Sequence, residues 1–442
     1  MKQKGRKMSV LQLTMVTAAN MLGSGIIMLP TKLAQVGTVS ILSWVITALG
    51  SMALALTFAR CGMFSTKQGG MGGYAEYSFG RTGHFMTNFA YAISIVIANV
   101  AIAISAVSYG AEFADINLSP LQICMATMAT LWLAVILNFR GTRRTGELSS
   151  LTIWGAILPV LGISLIGWIW FDPQTYISAW NPREFPLFEA VGNSVPLTLW
   201  AFLGMESAAV NMDAIEDPQK NVPRATMWAT FGVAGIYVLS TNAIAGIVPN
   251  ADLLNSSAPF GLAFATMFDS TIGHLIMGLM VISCFGSLLS WQFTLARVFK
   301  NCAEKGFFPK VFGKVTKADA PVKGMLIIVC CQTVLSLMTI SPTLSAQFEL
   351  LANLAVVTNL LPYILASYAL RDILRTANAN SKERRTYVTI SALAIVYCFY
   401  ALYTVETAAL IGGGLAILFG FIAYGIIFEL RPAKEIPKEV TH

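Results

Sequence analysis

Charge is scarce in this sequence. Asp, Glu, Lys and Arg make up 12% of its 442 residues, against 56% hydrophobic, and the mean hydropathy is +0.67. A typical soluble protein carries about 25% charged residues, so a string of water-soluble domains is excluded. Histidine is scarcer still: His84, His274 and His442 stand far apart and offer no metal-ligand spacing. The seven cysteines include no Cys-x-x-Cys pair. Six of them, Cys61, Cys124, Cys284, Cys330, Cys331 and Cys398, lie in or beside apolar segments, where a thiol packs as a small hydrophobe. No structural disulfide, metal or other cofactor is expected. Neither a Ser-His-Asp or Cys-His grouping nor a nucleotide loop stands out, which argues against an enzyme.

What the sequence does have is one apolar run after another. Residues 39–59, 86–109, 120–138, 151–170 and 408–428 are each long enough to cross ~30 Å of hydrocarbon as a helix. We read spans at about 9–34, 39–63, 84–113, 120–138, 149–170, 191–213, 226–248, 270–299, 324–341, 348–370, 387–403 and 408–429. The expectation is a single all-α transmembrane domain over 1–442, with helices 1–5 over about 9–170, helices 6–10 over about 191–370, and helices 11–12 over about 387–429. The basic start resembles that of a signal peptide. The apolar stretch after it is too long and lacks a small-residue cleavage site, so it reads as a retained first span.

The few charges orient these spans. With both termini in the cytoplasm, 27 of the 29 Lys and Arg lie on the inner side and only Lys32 and Arg183 outside. The opposite orientation violates the positive-inside rule almost everywhere. The same distribution accounts for the formal net charge of +7 without a nucleic acid partner. Nine acids fall outside: Glu112, Asp115, Asp172, Glu184, Glu189, Asp252, Asp269, Glu349 and Glu406. A vestibule of that sign concentrates cationic solutes. The alternative is that nothing selects for bases in the outer loops.

Two spans carry interruptions. The first contains Gly23-Ser24-Gly25 followed by Leu29-Pro30, and glycines around a serine halfway across a membrane favour an unwound turn. The sixth contains Trp200-Ala201-Phe202-Leu203-Gly204-Met205-Glu206-Ser207. These sites hold the same ordinal place in two successive sets of five helices, the pattern of inverted-repeat transporters. Close helix packing is the other use of such glycines.

Glu206 is the strongest single signal. A carboxylate near the centre of a span costs on the order of 3 kcal/mol to insert, and 191–213 contains no Lys or Arg to neutralise it. Its counter-charge is expected to arrive with a substrate, as an ammonium group or a proton. A permanently protonated acid bonded to nearby backbone is the alternative. Trp200, Trp291, Tyr91, Tyr363 and Tyr424 also lie within spans, and an aromatic face attracts an alkylammonium by roughly 0.5–2 kcal/mol. Core packing explains such rings too. The glycine-rich stretch Gln68 to Tyr77 reads as a flexible inner gate or a plain linker, and it lacks the lysine of a phosphate loop.

These motifs, together with Asp217-Pro218-Gln219-Lys220-Asn221-Val222-Pro223, resemble the amino acid–polyamine–organocation (APC) superfamily, and within it the basic amino acid/polyamine antiporters. The resemblance runs from about residue 8 to about 430. It implies twelve transmembrane helices in the LeuT-like 5+5 inverted repeat of the APC fold, with helices 1 and 6 broken. It further implies a bacterial cytoplasmic (inner) membrane protein that exchanges putrescine for ornithine, with proton-coupled putrescine uptake as a further mode. Lysine/cadaverine exchange is an alternative within the family, and an amine receptor without transport an alternative outside it.

By the same resemblance, Met21, Ser24 and Gly25 hold a polar end of the substrate, with Asn99 beside them. Trp200 is the mobile aromatic over the substrate, Trp291 part of the wall beneath, and Tyr91 and Tyr363 aromatics of the occluded site. Glu206 is the acid of the inner gate and of proton coupling. In the putrescine-type branch, Cys61, Tyr74 and Glu76 belong to the transport path and Tyr424 meets the substrate along it. Ala355 departs from the arginine/agmatine branch, which has serine there, and so favours slim alkylammonium substrates. The expected partners are small cations, protons and the lipid bilayer. Oligomeric state is left open, a homodimer being one arrangement.

Overall fold

The computed structural model describes residues 9–429 apart from 24, 68, 207–216, 317–319, 339 and 341–342. Helix starts are written locally. Ser9 and Ser119 each open a helix with a capping box, in which the serine hydroxyl accepts from the N–H of the glutamine three residues on and that glutamine returns a bond to the serine N–H. Asp269 and Thr343 cap two further helices through their side-chain oxygens.

The helices are α1 (Val10–Leu22), α2 (Leu29–Leu33), α3 (Ile41–Phe64), α4 (Met71–Phe113), α5 (Pro120–Asn138), α6 (Thr142–Thr152), α7 (Trp154–Ile166), α8 (Pro173–Ser178) and α9 (Leu187–Phe202). After the segment outside the described residues come α10 (Pro218–Ile247), α11 (Asn250–Asn255), α12 (Pro259–Met267), α13 (Ser270–Glu304), α14 (Val322–Met338), α15 (Leu344–Thr376), α16 (Ser381–Thr404) and α17 (Thr407–Glu429). Among the described residues there is no strand. Among the described residues nine segments are long and apolar enough to cross a membrane, and α1 and α14 are shorter apolar helices.

Helices α4 and α15 run against each other through the centre, with α13 also packed on α4, and α10 packs against α1 and α3. Residues Leu393, Val396, Phe399, Leu415, Phe419 and Ile422 of α16 and α17 face outward. Such a surface suits hydrocarbon rather than water.

One expectation is corrected. The stretch read as a flexible inner gate is helical from Met71, and a break at Gly80 separates this short helical piece from the third span that follows it. Its glycines divide in their use: Gly69 and Gly70 take φ of +114° and +59° just ahead of the helix, while a Cβ on Gly72 would collide with the Asn88 side chain. The only irregularity within α4 is a kink at Gly80, where φ is +61°.

Helix α1 stops at Leu22 and α2 begins at Leu29, while α9 stops at Phe202 and is followed by an extended Leu203 and by Gly204 at φ +107°. These two interruptions touch. A Cβ on Gly25 would lie 3.1 Å from the Ala201 Cα, and one on Gly204 would lie 3.0 Å from the Asn20 carbonyl oxygen. Carbonyls released where a helix ends need donors, and in hydrocarbon water does not supply them. Tyrosines from neighbouring helices do. The Tyr237 hydroxyl of α10 sits between the Met21 and Ala201 carbonyl oxygens, at 2.6 and 2.9 Å, and the Tyr109 hydroxyl of α4 donates to Ile27 at 3.0 Å.

Candidate functional site

Glu206 lies just after the second interruption and is 2% exposed. Its Oε1 accepts from the Tyr91 hydroxyl at 3.0 Å, and its Oε2 accepts from the Tyr363 hydroxyl at 2.8 Å and from the Gly204 N–H at 3.0 Å. The donors therefore come from α4, from α15 and from the unwound turn itself. All three are neutral. Among the described residues, no Lys, Arg or His forms an ion pair with this carboxylate. Hydrogen bonds of this kind hold the carboxylate in place but leave its charge uncompensated.

Beside Glu206 is a cavity of about 40 Å³, room for about three waters. Met21, Gly25, Tyr91, Trp200, Glu206 and Trp291 line it, six of the residues singled out in the sequence. Trp200 stands edge-on to Phe348 of α15, with ring centres 6.0 Å apart and planes at 89°. That contact ties the tryptophan to the helix that also carries Tyr363. Tyr363 itself is fully buried and reaches the site by its bond to Glu206.

The other sequence candidates are elsewhere. Ser24 lies outside the described residues. Asn99 is buried but donates its amide to Gln292 at 3.2 Å rather than lining the cavity. Tyr424 packs against Phe85 at 5.0 Å and accepts from the Thr82 hydroxyl at 3.2 Å, away from the cavity. Cys61 is buried with its thiol donating to the Ala366 carbonyl at 3.5 Å. Tyr74 is buried and Glu76 pairs with Lys67 at 2.9 Å and with His84 at 2.6 Å. These last three lie on helices α3 and α4 and form no part of the cavity wall.

The sequence reading missed three polar residues of the wall, Asn20, Ser94 and Asn359. Helical spacing is the signal that could have found two of them. Ser94 follows Tyr91 by three residues and Asn359 precedes Tyr363 by four, so each shares a helix face with a tyrosine that binds Glu206. The Ser94 hydroxyl donates to the Ala355 carbonyl at 2.8 Å, so position 355 meets the wall through its backbone.

A second carboxylate, Glu349 at the start of α15, is paired. Lys32 of α2, 1% exposed, places its Nζ 2.7 Å from Glu349 Oε2, and Gln35 donates to the same oxygen at 3.2 Å.

Residues 8–428 match the amino acid permease family. The chain is 58% identical to the putrescine transporter PotE of Haemophilus influenzae, over 98% of its own length and all of that protein. It is 56% identical to the putrescine transporter PotE of Escherichia coli K12, over 97% of its length and 98% of that protein. The cadaverine/lysine antiporter of the same strain is 33% identical, over 92% of each chain. With full-length matches of this order to transporters, and with Glu206 and its cavity beside the ends of α1 and α9, the chain belongs to the amino acid permease family of the APC superfamily, a family of membrane transporters and not of enzymes.

Proposed function

We propose that this protein exchanges putrescine for ornithine across the bacterial cytoplasmic membrane. In this reading the twelve helices form a 5+5 inverted repeat plus two, both termini face the cytoplasm, and access alternates around the interruptions after α1 and α9. The observation that carries it is the buried Glu206 carboxylate, held by neutral donors alone at the edge of an aromatic-walled cavity. A diamine brings the missing positive charge. Its methylene chain suits the apolar part of the wall, and its ammonium groups suit the faces of Trp200 and Trp291. The ornithine carboxylate meets the amides freed around Gly25, where half-helix N-termini favour an anion.

Charge accounting leaves a role for protons. Putrescine carries two positive charges and ornithine one net, so one-for-one exchange moves a charge across the membrane. A proton taken up or released at Glu206 alters that balance, which makes this residue the coupling site. The names of the relatives that match over the full chain support putrescine as substrate. Lysine/cadaverine exchange rests on the relative with 33% identity. Competition by a series of diamines separates the two, because one added methylene changes the distance between the ends the site must hold.

Counterflow in proteoliposomes is the direct trial. Labelled putrescine is expected to enter faster when ornithine is trapped inside than when the vesicles are empty. Equal rates would remove obligatory exchange.

A further inference from the structure

The cavity wall contains a polar group that the exchange reading does not use. Asn359, on α15, is 2% exposed and lines the cavity together with Glu206 and Tyr91. Its Oδ1 has no hydrogen-bond donor among the described residues. A buried carbonyl without a donor is costly to keep, so its presence at a ligand cavity points to a donor carried by the ligand.

Tyr363, one turn further along α15, cannot supply that donor: its one hydroxyl proton goes to Glu206 Oε2, which leaves none for the Asn359 carbonyl.

An alkylammonium has three N–H groups and no lone pair. Glu206 can take one of them, and the aromatic faces offer attraction without a directed acceptor. We propose that the Asn359 carbonyl accepts a second N–H from the same ammonium group and is thereby a specificity-determining residue of this site. This inference rests on the exchange reading above and adds an orientation to it. A carbonyl oxygen beside a carboxylate attracts an N–H donor and repels a second carboxylate. Ornithine therefore enters with an ammonium at this end and its carboxylate at the other, and putrescine enters either way round.

The test uses N–H donors as the variable. Putrescine and N,N,N′,N′-tetramethylputrescine carry the same charge, but each dimethylated end of the latter keeps only one N–H, whichever way round it enters. Binding of both is measured on the purified full-length protein, for wild type, Asn359→Leu and Asn359→Asp. Wild type is expected to prefer putrescine. Asn359→Leu, close in volume but without an acceptor, is expected to bind putrescine about tenfold more weakly and to lose most of that preference. Asn359→Asp keeps an acceptor oxygen and should retain the preference to within about twofold. A loss of affinity for both amines by the same factor in Asn359→Leu means that the residue only positions Tyr363, and overturns the inference alone. Asn359→Ala reads the same ratio if the leucine variant does not reach the membrane. Failure of wild type to bind putrescine at all overturns the exchange reading, and this inference with it.

Discussion

Glu206 and Glu349 are two carboxylates of one polytopic bundle, and they solve the same problem in opposite ways. Glu349 has a cation of its own, since Lys32 closes on it at 2.7 Å and Gln35 adds a further donor. Glu206 has two tyrosine hydroxyls and one peptide N–H, and among the described residues no cationic partner. An ion pair completed within the chain ties α2 to α15 and asks nothing of a ligand. A carboxylate held only by neutral donors is ordered but still attracts a cation, and in the exchange proposed above that cation is the substrate. The difference separates a structural latch from a binding group.

Removing charge from each carboxylate gives the sharpest contrast. Glu206→Gln keeps the shape and one of the two acceptor oxygens but ends the attraction. Exchange is expected to fall by about a hundredfold in kcat/KM, with its dependence on pH flattened between about pH 5 and pH 8. Initial rates in proteoliposomes across that range are the measurement, and unchanged transport would make the acid structural. Protein yield and apparent Tm should barely move.

For the ion pair the expected result is the reverse. Glu349→Gln leaves the Lys32 ammonium, 1% exposed, without a counter-charge. Breaking a buried pair costs about 3–5 kcal/mol, and this one is discounted because Glu349 is 23% exposed. Lys32→Met should cost less, since the carboxylate it abandons still reaches solvent. A double variant should recover part of the loss. Thermal unfolding in detergent orders the three, and equal shifts for the two single variants would contradict the asymmetry.

The smallest expected effects belong to the neutral donors. Tyr363→Phe and Tyr91→Phe each remove one hydrogen bond to Glu206, worth about 1.5–3 kcal/mol for a bond to a charged group. Roughly tenfold losses in kcat/KM for putrescine follow, with Tyr363→Phe the larger because its bond is shorter, 2.8 against 3.0 Å.

Much of this site was legible before any coordinates. Glycine pairs in a membrane span and an acid without a nearby base are local anomalies, and they named the interruptions and Glu206. Helical spacing from Tyr91 and Tyr363 would have reached Ser94 and Asn359 as well. The glycine-rich stretch at the start of α4 misled in part for a physical reason: glycine in sequence signals conformational freedom, which Gly69 and Gly70 use, but Gly72 instead makes room for Asn88 across a helix contact. Tyr237 gave no signal at all. Its importance lies in reaching carbonyls of two other helices, 216 and 36 residues away.

The sequence by itself determined that this chain lives in a bilayer and where helices α1 and α9 cannot continue. Those outcomes follow from transfer free energy and backbone freedom, which act residue by residue. Only the tertiary structure decided that the two interruptions meet, that Tyr91 and Tyr363 converge on one carboxylate, and that Lys32 finds Glu349 across 317 positions of chain. Hydrogen bonds and ion pairs act over a few ångströms, so their partners are chosen by packing and not by distance along the sequence.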